Sequence, residues 1–211
     1  MNKGKFITLE GVEGVGKSTN ILFIAEHIQA AGIKIVQTRE PGGTEIAEKI
    51  RDILLSHNEE KLCNDAELLL MFAARAQHIK QVIQPALDAG KWVICDRFTD
   101  ATYAYQGGGR DFSFQRIAWL EEFVQQSLQP DLTILLDLPV AIGLERAANR
   151  SEPDRFEAEQ KSFFEKVRQV YLQRAENDRQ RFNIIDASQS LPDVQLDIAN
   201  SLTRLVQALS E

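Results

Sequence analysis

Eight consecutive residues near the start of the chain, Gly11, Val12, Glu13, Gly14, Val15, Gly16, Lys17 and Ser18, follow the spacing G-x-x-x-x-G-K-S, and Thr19 comes next. Glycines at these places let backbone N–H groups turn inward around phosphate oxygens. A helix opening at Lys17 adds the partial positive charge of its N-terminus. The chemistry served is capture of a nucleoside triphosphate: the lysine reaches the β- and γ-phosphates, and the serine hydroxyl is a ligand for Mg²⁺. A dinucleotide-binding turn shares Gly14 and Gly16, but it needs a third glycine where this chain has Thr19, and it gives a Lys-Ser pair no role. Guanine-nucleotide switches carry N-K-x-D on a later strand, and that tetrapeptide is absent from the chain.

Phosphoryl transfer brings anions together, so cations should gather near that loop. Arg39 and Arg97 each follow an apolar run, Arg51 and Arg75 lie in stretches of helical period, and Arg146, Arg150 and Arg155 punctuate a charged segment broken by Pro153. Asp96 and Asp137 both end apolar runs, and either carboxylate suits a Mg²⁺ site. The neighbouring Arg97 favours Asp96. A water-activating residue and a partner surface, which a motor or partition ATPase needs, cannot be assigned.

The elements that must position these groups alternate along the chain. Apolar runs of strand length occur at 5–10, 33–38, 92–96, 132–137 and 182–186. Between them lie stretches of helical period at 17–31, 44–55, 66–89, 114–128, 140–147, 158–177 and 191–209, the third bent or broken near Pro85. Ile21, Ile24, Ala25 and Ile28 form one helical stripe, and Ile46, Ile50, Ile53 and Leu54 another. Leu191, Val194, Ile198, Leu202, Leu205 and Leu209 form a third. The glycine triplet 107–109 reads as a flexible loop. Short, nearly all-apolar strands alternating with helices predict an α/β fold with a parallel sheet covered on both faces. Functional groups should then collect beyond the strands' carboxyl ends.

Composition sets the outer limits. The chain has 211 residues, a net charge of −7 and 26% charged residues, ordinary for a globular protein and unsuited to non-specific nucleic-acid binding. Two cysteines, Cys63 and Cys95, are too few for a disulfide scaffold or a four-cysteine zinc site. Neither a signal-peptide segment nor an apolar stretch long enough for a bilayer is found, so a cytoplasmic, reduced protein is expected, without membrane or nucleic-acid partners.

Several motifs occur in a fixed order: Gly11 to Ser18, Thr38-Arg39-Glu40-Pro41-Gly42-Gly43-Thr44, Phe72-Ala73-Ala74-Arg75, Asp96-Arg97-Phe98 and Ala104-Tyr105-Gln106-Gly107. Together they resemble the bacterial thymidylate kinases from about residue 6 to the last helix. The resemblance implies a nucleoside-monophosphate-kinase fold in one domain over 1–211, with a five-stranded parallel sheet and a lid at about 146–158. It implies phosphorylation of dTMP by ATP with Mg²⁺, and a homodimer. By that resemblance the catalytic groups are Lys17, Arg97, a lid arginine (Arg150 first, Arg155 second, both on the ATP side) and Glu13 near the sugar. Arg51 holds the dTMP phosphate, Phe72 stacks on thymine, and Arg75, Thr102 and Gln106 read the base. Tyr105 excludes a ribose 2′-hydroxyl, and Glu40 contacts the substrate region or organises the turn after it. Ser18 and Asp96 serve the metal. Many relatives place the aromatic four residues before the arginine, at the position of Met71, which leaves Met71 and Phe72 as alternatives.

Overall fold

A computed structural model of the protein describes residues 3–56, 60–148 and 154–207. In chain order its elements are β1 (Phe6–Glu10), α1 (Lys17–Ala30), β2 (Ile35–Arg39), α2 (Glu45–Leu55), α3 (Asn64–His78), a π-helical turn (Ile79–Ile83) and α4 (Gln84–Asp88). Then follow β3 (Trp92–Asp96), α5 (Thr99–Thr102), a second π-helical turn (Tyr103–Gly109), α6 (Phe114–Gln125), β4 (Leu132–Asp137), α7 (Val140–Ala148), α8 (Lys161–Asn177), β5 (Phe182–Asp186) and α9 (Leu191–Gln207). The strands form one parallel sheet in the order β2-β3-β1-β4-β5. The last three strands have the bounds expected from sequence, and the second starts two residues later than its apolar run.

Alternation along the strands divides the side chains between two layers. Phe6, Val93 and Cys95 pack with Ile79, Ile83 and Leu87 on one face. Ile7, Leu9 and Ile94 pack with Ile21, Ile24 and Ile28 of α1 on the other, and α9 lies beside α1. Because β1 is central, and the chain runs from it to β2 and β3 on one side before crossing to β4 and β5 on the other, a crevice opens at the carboxyl end of β1 where the connections part.

Three local expectations change. The stretch at 66–89 stays helical past His78 by widening into the π-helical turn, which leads into Pro85 near the start of α4. A proline lacks the N–H that a regular turn would use, and a π-turn is one way to absorb that loss. The glycine triplet is part of a π-helical turn rather than a loose loop. A methyl group on Gly108 would lie 2.7 Å from Val170, and one on Gly109 would lie 2.3 Å from Phe163. These glycines let the turn lie directly on α8. Finally, two of the expected core stripes are partly outside: Ile46, Ile53 and Leu191 are exposed, whereas Val194, Ile198 and Leu202 are buried.

Candidate active site

The loop between β1 and α1 curls over the sheet's carboxyl edge and is pressed against α7. A methyl group on Gly14 would lie 1.9 Å from the Gly143 carbonyl oxygen, and one on Gly143 would lie 2.6 Å from that of Glu13. At the mouth of the loop the Lys17 ammonium donates to the carbonyls of Gly11 and Val12, each at 3.0 Å. Burial lowers its pKa to about 8, and nearby Arg97 pushes the same way against the pull of Asp96, Glu13 and Glu10. Ser18 and Thr19 are exposed at the start of α1.

Beside this loop the chain makes a tight turn after β3. Arg97 has φ of 66°, a left-handed conformation that side chains rarely adopt. Three bonds hold it: the Arg97 N–H donates to Leu9 (3.0 Å), the Cys95 thiol to the Arg97 carbonyl (3.1 Å), and the Phe98 N–H to Glu10 Oε1 (2.7 Å). The turn throws the guanidinium over the Tyr105 ring, 4.7 Å from its centre. There Nη2 donates to Glu13 (3.0 Å) and Nη1 to the Tyr171 hydroxyl (3.1 Å). Tyr105 donates to both Glu13 oxygens at 2.7 and 2.8 Å. Glu13 is therefore fixed by two partners rather than left solvated.

Glu10, which sequence reasoning did not single out, completes the arrangement. It is fully buried, and its Oε2 accepts from Tyr171 at 2.8 Å. Burial and then the nearby Asp100 raise its pKa to about 8. The signal in the sequence is a carboxylate closing an otherwise apolar strand, the same signal that drew attention to Asp96 and Asp137.

Those two aspartates have different surroundings. Asp137 is held by Arg168 through two bonds of 2.7 and 2.8 Å. Asp96 lines the central cavity together with Ser18, and its Oδ1 is buried with no hydrogen-bond partner among the described residues. An orphaned carboxylate oxygen near a free hydroxyl suits a hard cation whose remaining ligands are phosphate and water.

The same cavity, about 270 Å³, runs from the loop to α3. There Arg75, buried, donates from Nε to Glu40 (2.7 Å) and from Nη2 to the Thr102 hydroxyl (3.0 Å). His78 Nδ1 lies 2.9 Å from the other Glu40 oxygen, and its Nε2 lies 2.7 Å from Thr38 Oγ1. Burial alone would raise the Glu40 pKa, but Arg75 and His78 outweigh it and hold the carboxyl below its ordinary value. Glu40 thus orients Arg75. Arg75 Nη1 is buried without a partner among the described residues, and the residue lines the cavity with Thr102, Tyr105 and Gln106. Arg51 is tied by Nη1 to the Pro41 carbonyl at 2.9 Å, and its pKa is lowered by burial and then by Arg39.

The structure turns Met71, not Phe72, toward the cavity. Phe72 is buried in the core with its ring 4.9 Å from the Arg75 guanidinium carbon, so it supports the arginine from within. Sharing a helix face with Arg75 is satisfied equally by contact inside the core and by contact inside the pocket, and the sequence does not say which. Phe98, at the edge of the cavity, is fully buried, with its ring against Phe6 and 5.1 Å from the Arg75 guanidinium carbon.

Of the three lid arginines, Arg150 lies outside the described residues. Arg155, expected on the ATP side, is turned toward α3: Nη1 lies 2.7 Å from Glu67 and Nε donates to the Leu54 carbonyl at 2.8 Å. Arg146 donates to the Ala187 carbonyl at 3.0 Å. Sequence placed these side chains on one segment but carried no information on the distant carboxylate and carbonyls that take two of them.

Comparison with known proteins supplies the rest. A family model described as thymidylate kinase matches residues 9–198. A thymidylate kinase of Ectopseudomonas mendocina (strain ymp) is 58% identical over 97% of this chain and 98% of its own. One from Pseudomonas entomophila (strain L48) is 61% identical over 91% of each chain. The crystal structure of thymidylate kinase from Ehrlichia chaffeensis is similar with a TM-score of 0.77 and 30% identity, covering 95% of this chain and 99% of that one.

Proposed function

We infer the division of labour in this site from one premise: the chain belongs to the thymidylate kinase family. It is a P-loop nucleoside monophosphate kinase, and its reaction is the phosphorylation of dTMP to dTDP in nucleotide biosynthesis, EC 2.7.4.9, with ATP as donor. The observation that supports a two-substrate site here is the single cavity shared by Lys17 and Ser18 of the loop and by Arg75, Thr102 and Gln106 of the opposite wall.

The acceptor is itself a phosphate, so positioning and charge neutralisation matter more than a strong base. The backbone of Gly11 to Gly16, with Lys17, Ser18 and Thr19, cradles the ATP phosphates. Lys17 leaves its carbonyl partners for the β- and γ-oxygens. Arg97, preset by its turn, stands between the acceptor and the transferred group, and Arg51 takes the other side of the dTMP phosphate. Glu13 faces the sugar 3′-hydroxyl, and Tyr105 closes the space a 2′-hydroxyl needs. The Arg75 Nη1, unpartnered among the described residues, is a donor for a thymine carbonyl, Met71 gives the base an apolar wall, and the buried Phe98 ring backs Arg75. Arg150, in the lid at 146–158, neutralises the γ-phosphoryl, and Arg155 braces the lid's return. Ser18 and Asp96 are the residues that would hold Mg²⁺, directly or through water. When bound, that cation screens phosphate charge.

The chain acts as a homodimer in the cytoplasm. Trp119 and Phe123 support the dimer: they are 66% and 70% exposed and stack with centres 5.8 Å apart. Exposed Leu69 lies on α3, which packs against α6, and exposed Ile46 and Ile53 lie on α2, which packs against α3. Purified protein given ATP and Mg²⁺ should turn over dTMP much faster than dUMP, dCMP, dGMP or thymidine. A preference for any of the others would replace the acceptor while leaving the fold. Light scattering should give a dimer that Trp119→Glu dissociates, and a monomeric parent protein would remove that part.

A further inference from the structure

Glu67 is a buried carboxylate on α3 that the reaction as described does not use. It is 1% exposed. Its Oε1 accepts from Gln106 Nε2 at 2.8 Å and from Arg110 Nε at 3.4 Å. Its Oε2 lies 2.7 Å from Arg155 Nη1. Arg110 also bonds Glu159, so three donors from two separate parts of the chain converge on this one group.

The bond to Gln106 has a chemical consequence. A primary amide has two ends of opposite character, an NH₂ that donates and an oxygen that accepts, and either can point either way. A carboxylate accepts and cannot donate, so Glu67 compels Gln106 to turn its NH₂ inward. The amide oxygen is then the end given to the cavity, which Gln106 lines, and no donor among the described residues reaches it. On the same cavity, Arg75 Nη1 is a donor without a partner among the described residues. The wall thus presents a donor from Arg75 and an acceptor from Gln106. Thymine and uracil match that pattern with a ring carbonyl and the N3–H. Cytosine reverses it, with an exocyclic NH₂ and a bare N3.

We propose that Glu67 is the positioning residue that sets base selection, by locking the Gln106 amide with its oxygen toward the pocket so that 4-keto pyrimidines are accepted and 4-amino pyrimidines are refused. This rests on Gln106 being a base contact, as in the reading above. Arg155 ties the same carboxylate to the segment whose Asp154 and Phe156 line the cavity. The group that fixes the base reader also anchors one end of the lid.

The test compares kcat/KM for dTMP and dCMP in the full-length enzyme and in Glu67→Gln. A glutamine at 67 can offer its own NH₂ to the Gln106 oxygen, freeing the amide to turn. The dTMP-to-dCMP ratio should fall about tenfold or more, with the change in KM rather than kcat, because a site built on paired hydrogen bonds discriminates through them. Loss of packing alone would slow both acceptors together and leave the ratio unchanged, and that result overturns the proposal. Gln106→Ala separates the underlying reading: an unchanged KM for dTMP removes Gln106 as a base contact. A raised KM in Gln106→Ala with an unaltered ratio in Glu67→Gln removes only the role of Glu67. Should Glu67→Gln fail to fold, the ¹⁵N–¹H side-chain amide signals of Gln106 in the parent protein decide. One proton shifted downfield and protected from exchange supports the lock, and a pair that behaves like a solvated glutamine overturns it.

Discussion

The two ends of the central cavity are built differently. At the α3 end the charged side chains are locked against one another, with one N–H arm each of Arg75 and Arg155 left over among the described residues: Glu40 holds Arg75 and His78, and Glu67 holds Gln106, Arg110 and Arg155. At the loop end, Lys17 rests on two carbonyls of its own loop, Ser18 is exposed, and Asp96 keeps an oxygen without a partner among the described residues. The base-reading half is oriented before substrate arrives, its free Arg75 arm included, because hydrogen bonds read a base only if their directions are set beforehand. The phosphate half is left incomplete, since a polyphosphate and a cation bring strong charges that complete it. Removing a side chain from the first half should therefore unsettle the fold, whereas removing one from the second should stop chemistry and leave the fold alone.

Four measurements sharpen or break that contrast. Lys17→Ala should lower kcat about a thousandfold or more, since it removes a cation from the transferring phosphates, with the thermal midpoint unchanged. Activity close to normal, or a large loss of stability, would erase the distinction from the loop end. Arg150→Ala should follow, lowering kcat about a hundredfold or more while barely raising KM for dTMP. A change confined to KM would make it a holder of substrate. Arg75→Met should act on both properties: it removes the base donor and strands Glu40 in the interior. A stability loss of about 3 kcal/mol is expected in denaturant titration, together with a raised KM for dTMP. A variant as stable as the parent would show that the α3 end is no more committed than the loop.

The smallest effect is a fraction of a proton. In the free protein the Lys17 pKa is lowered to about 8, mainly by burial. Phosphate oxygens favour the charged form and raise it. Between about pH 8 and the ordinary lysine value near 10.5, ATP binding should therefore take up most of a proton, and at pH 7 Lys17 should contribute only about a tenth of one. Calorimetry in buffers of different ionisation enthalpy measures this, and Lys17→Ala should abolish it. Uptake that persists in that variant would assign the proton elsewhere.

What the sequence disclosed and what it withheld follow from the range of each interaction. The phosphate loop was legible because its glycines, lysine and serine act within a dozen residues, and the strands because burial on both faces leaves nearly unbroken apolar runs. Motif order located Arg75, Arg97 and Gln106. The features that escaped depend on distant partners. The glycine triplet read as a loose loop because Phe163 and Val170, which it packs against, lie more than fifty residues away. The resemblance put Phe72 on thymine with Met71 as the alternative, and helical spacing could not decide between them, because it fixes which residues share a face but not what the face touches. Ile46 and Ile53 have core spacing, yet they open outward. Glu10 and Glu67 went unnoticed since a lone carboxylate in an apolar stretch gains meaning only from the tyrosine, amide and guanidinium groups that meet it in space.

Where Gly14 and Gly143 touch, the phosphate cradle and α7 have no side chain between them. That helix runs toward Arg146 and the segment beyond, so the cradle and the root of the arm that follows stand on one foundation. A methyl group added at either glycine would act as a wedge, tilting the amide ring away from its anion and shifting the arm's origin in the same stroke. Two functions far apart along the chain would then fail together from the addition of one carbon and two hydrogens.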